Sequence, residues 1–300
     1  MAAYNGAAYI GEQIDSILGQ TDTHWHLTVS DDGSTDGTDA VIDAYAQCYP
    51  ERISRVFAPR RFGEARAHFF WLTEHCDAQY IAYCDDDDTW REDKLEKLRK
   101  AMQDAEMRLG IGTPILVFSD QTVTDAGQGE IAPSLMRYQK QYFGYFDYRS
   151  ILLQNVVTGG AMMVNQALAR LALQCADVSQ IIMHDWWMAA VAARFGEIVY
   201  IDEPLGTYRQ HGCNSVGAKD VSSAAHVAYK LGHLGEIQRT LCQKKAQARV
   251  FVQTYQADLN EADGAFLEEF VKERSGPGFY WRYRTLIHGG FRLAGMALLG

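Results

Sequence analysis

The chain has no C-x-x-C pair, although it carries six cysteines (Cys48, Cys76, Cys84, Cys175, Cys213 and Cys242). Their dispersal predicts reduced thiols in a cytosolic protein and argues against a zinc site or a disulfide frame. It has no secretory signal and no apolar run of about 20 residues, so no segment is expected to span a membrane by itself. A basic excess is also missing: 38 acidic residues against 28 basic ones leave a net charge of −10. General nucleic-acid binding needs the opposite balance and is set aside, whereas one small anionic ligand held through a cation is not. There is no internal repeat and no low-complexity tract. What is present is 300 residues, 47% of them hydrophobic. That suits a soluble protein with one medium domain and an appendage, or two small domains.

The most informative stretch is Ile81-Ala82-Tyr83-Cys84-Asp85-Asp86-Asp87-Asp88-Thr89-Trp90. A short apolar run of strand length ends in four consecutive carboxylates. Adjacent like charges repel, and a buried strand end cannot solvate them all. A divalent cation such as Mg²⁺ or Mn²⁺ would resolve the conflict, taking one or two carboxylates and filling its other positions with water and phosphate oxygens. The plainer alternative is a solvated acidic turn capping the next helix, since Thr89 and Glu92 have capping-box spacing.

Helical spacing of Ile10, Ile14, Ile17 and Leu18 predicts a helix over about 8–20. A strand from His24 to Ser30 ends at Asp31-Asp32-Gly33-Ser34-Thr35-Asp36-Gly37-Thr38 and feeds a helix from Asp39 to Ala46. Further strands are expected at 52–58, at the run ending in Asp85, at 115–119 and at 198–201. Helices are expected at 65–74, at about 90–106 and from His184 to about Phe195. This alternation predicts an α/β fold with a mostly parallel sheet flanked by helices. Residues 120–155 read as turn-rich and aromatic, either an acceptor-facing surface or a packed patch. Val156 to Val164 reads as two short strands around a glycine turn, and 216–275 as helical. The opening Met1-Ala2-Ala3-Tyr4-Asn5-Gly6 looks like the end of a strand, which implies either an unusually short strand or a natural start upstream.

In combination and in order, these motifs resemble the family 2 glycosyltransferases with the GT-A nucleotide-diphospho-sugar transferase fold. The matching segments are Ala3-Tyr4-Asn5-Gly6, Asp31-Asp32-Gly33-Ser34-Thr35-Asp36, Asp85-x-Asp87-Asp88-x-Trp90, Thr158-Gly159-Gly160-Ala161, His184-Asp185-Trp186-Trp187 and Tyr208-Arg209-x-His211. The last two look most like the bacterial rhamnosyltransferase-type branch, which builds cell-surface polysaccharides. The resemblance implies a catalytic domain over 1–215, with a nucleotide-sugar half to about 120 and an acceptor half beyond it. A helical extension over 216–300 follows.

Carried over by residue, the resemblance implies that Ala3, Tyr4, Asn5, Asp31 and Asp32 hold the base and ribose of a dTDP- or UDP-linked sugar. Asp85 and Asp87 form the D-x-D element for Mn²⁺ or Mg²⁺, with Asp87 the more direct ligand, and Asp86 stands with the nucleotide-sugar group. Asp185 becomes the general base for direct displacement with inversion. Its plainer reading is a helix N-cap. Thr158, Gly159, Gly160, a supporting His184 and Trp187 fall on the acceptor side, one tryptophan of the pair 186–187 being core and the other acceptor wall. Arg209 and His211 would reach the diphosphate or metal; a salt-bridged strand end explains them otherwise. Where the family often has Asn-x-Gly, this chain has Arg61-Phe62-Gly63, and Arg61 is a candidate phosphate contact.

Two rival readings stand beside this one. Asp85-x-Asp87-x-Thr89 also fits the nucleophile loop of haloacid-dehalogenase-like phosphatases, and a non-catalytic glycosyltransferase-like scaffold would keep the fold alone. The C-terminal segment is basic and aromatic (Lys272, Arg274, Arg282, Arg284, Arg292 with Phe279, Tyr280, Trp281, Leu286, Phe291, Leu293). It fits an interfacial contact at the inner face of the plasma membrane, near a lipid-linked acceptor, or docking on the body or a second subunit.

Overall fold

A computed structural model describes residues 1–141, 146–212, 234–272 and 275–287. Cys213, Arg274, Arg292, Phe291 and Leu293, the aromatic residues Tyr142, Phe143 and Tyr145, and the expected helix over 216–233 lie outside the described residues.

The first half is built from β1 (Ala2–Ala3), α1 (Ile10–Leu18), β2 (Leu27–Asp31), α2 (Thr38–Cys48), β3 (Ile53–Arg55) and α3 (Ala65–Glu74). Its three strands form a parallel sheet in the order β1-β2-β3. α1 forms because Ile10, Ile14 and Ile17 recur on one face, and all three are buried against the sheet. Each contributes about 1.5–3 kcal/mol of apolar burial.

The chain continues through β4 (Tyr80–Ala82), α4 (Lys94–Leu109), β5 (Ile115–Thr124), β6 (Glu130–Ala132), α5 (Leu135–Tyr138) and α6 (Tyr148–Leu153). Then follow β7 (Met162–Asn165), α7 (Gln166–Ala172), α8 (His184–Phe195) and β8 (Glu197–Arg209). This second sheet runs β4-β7-β5-β6, with β8 parallel to β5 and the other pairs antiparallel. Strand β5 shows why the sheet sits inside. Ile115 and Val117 face the cluster of α1 and α4, while Leu116 and Phe118 face the cluster of α8. A period of two with both faces apolar is the mark of a strand covered on both sides.

Several elements depart from expectation. The segment expected to begin the strand pair before the glycine turn is a loop. The Asn155 side chain bonds both the carbonyl and the amide of Val157, replacing ladder bonds. β8 is 13 residues long because shifts in register around Asp120 let Asp202, Glu203 and Pro204 continue beside β5. The capping box at Thr89 and Glu92 does not form. The Thr89 amide and hydroxyl pair with Thr207, and the helix begins at Lys94.

The C-terminal region adds α9 (Leu234–Tyr255), α10 (Glu261–Phe270) and α11 (Gly276–Arg282). Asn260 and Asp263 form a reciprocal capping box that fixes the start of α10. Phe251, Tyr255, Phe266, Phe270 and Phe279 join the α8 cluster, so the extension shares the core of the preceding domain. Among the described residues, no helix is long and apolar enough to cross a membrane.

Trp187 is part of that shared core. It is fully buried, stacks on Tyr255 and donates its indole N–H to the Ala172 carbonyl. It therefore presents no surface to an acceptor, and Trp186, half-buried on the adjacent face, is the more open of the pair. Trp187→Ala is expected to lower unfolding stability by about 3–5 kcal/mol, read as a shifted midpoint in urea denaturation.

Candidate active site

The carboxyl ends of β1, β2 and β8 and the loop after β4 are tied into one site by short polar contacts. Asn5 sits at φ 52°, a left-handed conformation that asparagine tolerates. There its amide donates to Ser34 Oγ and its side-chain oxygen accepts from the Thr35 amide. The β1 loop is thereby fixed to the Asp-Gly-Ser-Thr loop after β2. Ala3 is buried in β1, and the neighbouring Tyr4 amide donates to Asp86 at 2.9 Å, joining both loops to the acidic quartet.

Asp31 and Asp32 have separate tasks. Asp31 accepts from the Gly33 and Ser34 amides and the Ser34 hydroxyl, holding its own loop closed. Asp32 is buried and accepts from the amides of Phe62 and Gly63 at 2.6 and 2.7 Å. That anchors the loop bearing Arg61. The Arg61 guanidinium lies 4.8 Å over the exposed Tyr4 ring and donates to its hydroxyl. This cation and ring flank the site beside the β1 and β2 loops.

The quartet is crowded, as its sequence predicts. Burial, followed by the charge of Asp87, pushes the Asp85 carboxyl up to about 7. Burial raises Asp86 to about 7 as well, despite the Tyr4 amide, and raises Asp88 well above the carboxylate range. Asp88 is structural: it accepts from the backbone amide of Arg209 at 2.9 Å and so fastens the end of β8. Asp87 keeps its side chain 20% exposed and meets His211 Nε2 at 2.9 Å. Arg209 itself is 2% exposed and held by Glu12 Oε2 and the Tyr9 ring, 4.7 Å from its guanidinium carbon. It is the salt-bridged strand end, supporting the site from behind, whereas His211 reaches Asp87.

Among the described residues, no three His, Cys, Asp or Glu side chains converge to hold a metal by themselves. Asp85 and Asp87 nonetheless put oxygen donors and excess negative charge at one strand end. Such a set suits an ion that completes its coordination from water and phosphate.

Across from the quartet lies a short 3₁₀ turn, Gly159–Ala161, entered from Thr158. The Gly159 amide donates to Asp185 Oδ2 at 3.1 Å. A side chain at Gly160 would put its Cβ 2.9 Å from Asp85 Oδ2 and 3.1 Å from Asp88 Oδ2. Glycine is required there by the closeness of approach. Asp185 is not the helix cap, a position Met183 takes; it lies in the first turn of α8. Burial, reinforced by the charge of Asp85, raises its carboxyl to about 7. His184 is sealed between Phe69, 4.1 Å away, and Tyr83, and burial lowers its ring to about 3, so it is neutral packing beneath Gly159.

Sequence reasoning missed Lys94, Glu12 and Tyr9. Lys94 is fully buried and donates from Nζ to the Gly160 carbonyl at 2.6 Å. Within a run of charges (Lys94, Glu96, Lys97, Arg99, Lys100) it looks like any solvated helix lysine. Its one distinguishing signal is a cation in the first turn of a helix, where the dipole disfavours it.

A model of the family described as Glycosyl transferase family 2 matches residues 1–171. A dTDP-rhamnosyl transferase of Shigella flexneri, RfbG, is 27% identical over 235 residues, 73% of this chain and 74% of that one. Among solved structures, S. aureus TarS 1–349 in complex with UDP superposes with a TM-score of 0.58 at 11% identity, covering 99% of this chain and 88% of that one. A mannosyltransferase of Pyrobaculum calidifontis in complex with GDP-Man and Mn²⁺ gives 0.53 at 15% identity, covering 99% and 84%. The phosphatase reading falls with this evidence, and the Thr89 hydroxyl it needs is bonded to Thr207. This chain belongs to glycosyl transferase family 2 and has the GT-A fold.

Proposed function

We propose that the protein is an inverting, metal-dependent transferase. It moves a sugar from a nucleoside diphosphate to a hydroxyl of a saccharide or lipid-linked acceptor in cell-surface polysaccharide assembly. The observation that carries this reading is the glycine turn. Its Gly159 amide holds a buried carboxylate suited to proton abstraction, Asp185, while Gly160 packs closely against Asp85, the carboxylate assigned to the donor side. The turn would thus set the proposed base near the carboxylate that serves the leaving group.

In the proposed reaction Asp185 takes the proton of the acceptor hydroxyl. The new oxygen–carbon bond forms at the anomeric carbon as the bond to the diphosphate breaks, and the diphosphate leaves with the electron pair. Asp31, Asn5 and Tyr4 lie where the base and ribose would rest, and Arg61 offers a guanidinium to a phosphate. Asp87 and Asp85, with His211, would hold Mn²⁺ or Mg²⁺, which when bound supplies Lewis-acid neutralisation of the leaving diphosphate. Thr158, Gly159 and Gly160 border the acceptor. The likeness to RfbG favours dTDP-rhamnose as donor.

The test is transfer by the purified protein from dTDP-, UDP- and GDP-linked sugars to a saccharide acceptor, with the product anomer read by NMR. An inverted product supports the reading, and release of phosphate from a phosphomonoester without transfer contradicts it. Because Asp185 must be ionised to act as base, and its carboxyl titrates near 7, the rate is expected to rise through that region. A pH–rate profile without an acidic limb would count against this assignment.

The outer side of α11 supports a membrane-facing role. Trp281 is 68% exposed with Arg284 stacked 5.0 Å from its ring. Flotation with anionic liposomes is expected to weaken in Trp281→Ala, and an unchanged distribution would remove this contact from the account.

A further inference from the structure

Helix α8 carries Asp185 in its first turn, yet its start lacks the usual fastening. The N-cap is Met183, which has no side-chain oxygen to accept a first-turn N–H. Residues 181–183, which lead into the helix, are neither helix nor strand. Their position is set from outside. The Arg66 guanidinium of α3 donates from Nη1 to the Ile181 carbonyl at 2.7 Å, and the Ile182 amide donates to Gln247 Oε1 of α9 at 2.9 Å.

Gln247 is fully buried, and its Nε2 has no partner among the described residues. A buried side-chain amide with half its capacity unmet costs stability. The bond to Ile182 is the interaction that accounts for a glutamine at this place. The same face of α9 repeats the grip, since Gln247, Phe251 and Tyr255 follow at intervals of four residues. Phe251 meets the Trp187 ring of α8 edge-on, and Tyr255 stacks on Trp187 and donates its hydroxyl to the Leu171 carbonyl. Thr254, beside it, accepts from the Ala176 amide at 3.1 Å. The chain from the end of α7 to the start of α8 is therefore seated on α9.

We propose that Gln247 is a positioning residue for Asp185: with Arg66 it clamps the entry to α8, so the C-terminal extension sets where the base stands. This inference rests on the transferase reading for the role of Asp185. At the far end of the clamp, Asp185 Oδ2 accepts from the Gly159 amide at 3.1 Å, a bond that a drifting helix start would lose. Gln247 acts on the site through the Ile182 peptide.

The experiment compares the native protein with three variants. Gln247→Leu removes the acceptor at similar volume. Arg66→Met releases the other side of the clamp from a half-buried position. Phe270→Leu loosens the same core without breaking either bond. Hydrogen–deuterium exchange is read over residues 178–190, and transfer is measured below every melting transition. Both clamp variants are expected to exchange faster at 181–186 and to lose about 10- to 100-fold in kcat, the scale of an ångström's misplacement. Their nucleotide Kd should stay native. Phe270→Leu should lower the melting temperature and leave exchange at 181–186 and kcat as they are. If Gln247→Leu does not fold, the milder Gln247→Asn, one methylene short of Ile182, takes its place. Unaltered exchange at 181–186 in the Gln247 variant, or a native kcat despite faster exchange, would overturn the proposal while native transfer leaves the transferase reading intact. A native protein that transfers no sugar would overturn that reading and this role with it.

Discussion

Asp185→Asn is expected to slow sugar transfer by about 10²–10⁴-fold, the range contributed by a positioned general base, while nucleotide binding is preserved. Asparagine keeps the side-chain oxygen that accepts the Gly159 amide, so the turn should remain in place. What it loses is the basicity of a carboxylate that burial holds near 7. Steady-state kinetics should show the loss in kcat, with the KM for donor little changed. An Asp185→Asn variant with native turnover would make Asp185 a structural residue of α8 and would place the base elsewhere. A variant that neither binds nucleotide nor turns over would show instead that the carboxylate holds the site together.

The second large effect is expected at Asp87. Asp87→Ala removes the partly exposed carboxylate that meets His211 and leaves Asp86 and Asp88 anchored by the amides of Tyr4 and Arg209. Transfer should fall about 10²–10³-fold, several kcal/mol of charge stabilisation at the leaving diphosphate. The dependence of nucleotide binding on Mn²⁺ should vanish with it. The native protein and Asp88→Asn provide the contrast, since Asp88 spends its oxygen on the Arg209 amide. Removing Asp88 should therefore affect stability more than metal dependence. Equal Mn²⁺ dependence in Asp87→Ala and the native protein, measured by calorimetry with nucleotide present, would move the metal away from this residue.

Much of the first half was legible from residue order alone, because its signals are local. The Ile10, Ile14, Ile17 spacing marks α1, and the carboxylates after β2 and β4 mark strand ends at a ligand site. The start of α8 at His184 was legible for the same reason. What was hidden depends on partners far away in sequence. The hydroxyl of Thr89 pairs with Thr207, 118 residues on, and this removes an apparent helix cap. The strand expected at 198–201 stops short of Asp202-Glu203-Pro204, and a register shift beside Asp120 carries β8 through them. Trp187 looks equivalent to Trp186 until α9 covers it with Phe251 and Tyr255. Arg209 looks ready for a phosphate until Glu12, 197 residues earlier, takes its guanidinium. Lys94 is the extreme case, since nothing in its own helix explains a buried ammonium.

The most direct test of a metal-dependent nucleotide-sugar site is thermal unfolding of the native protein with UDP, dTDP, GDP or CDP, each with Mn²⁺, Mg²⁺ or EDTA. A ligand at about 100 times its Kd stabilises the folded state by about 2.7 kcal/mol, a shift of several degrees. The account predicts such a rise with one nucleoside diphosphate, present with the cation, absent with EDTA and lost in Asp87→Ala. No rise with any pair, or a rise indifferent to EDTA, would contradict it.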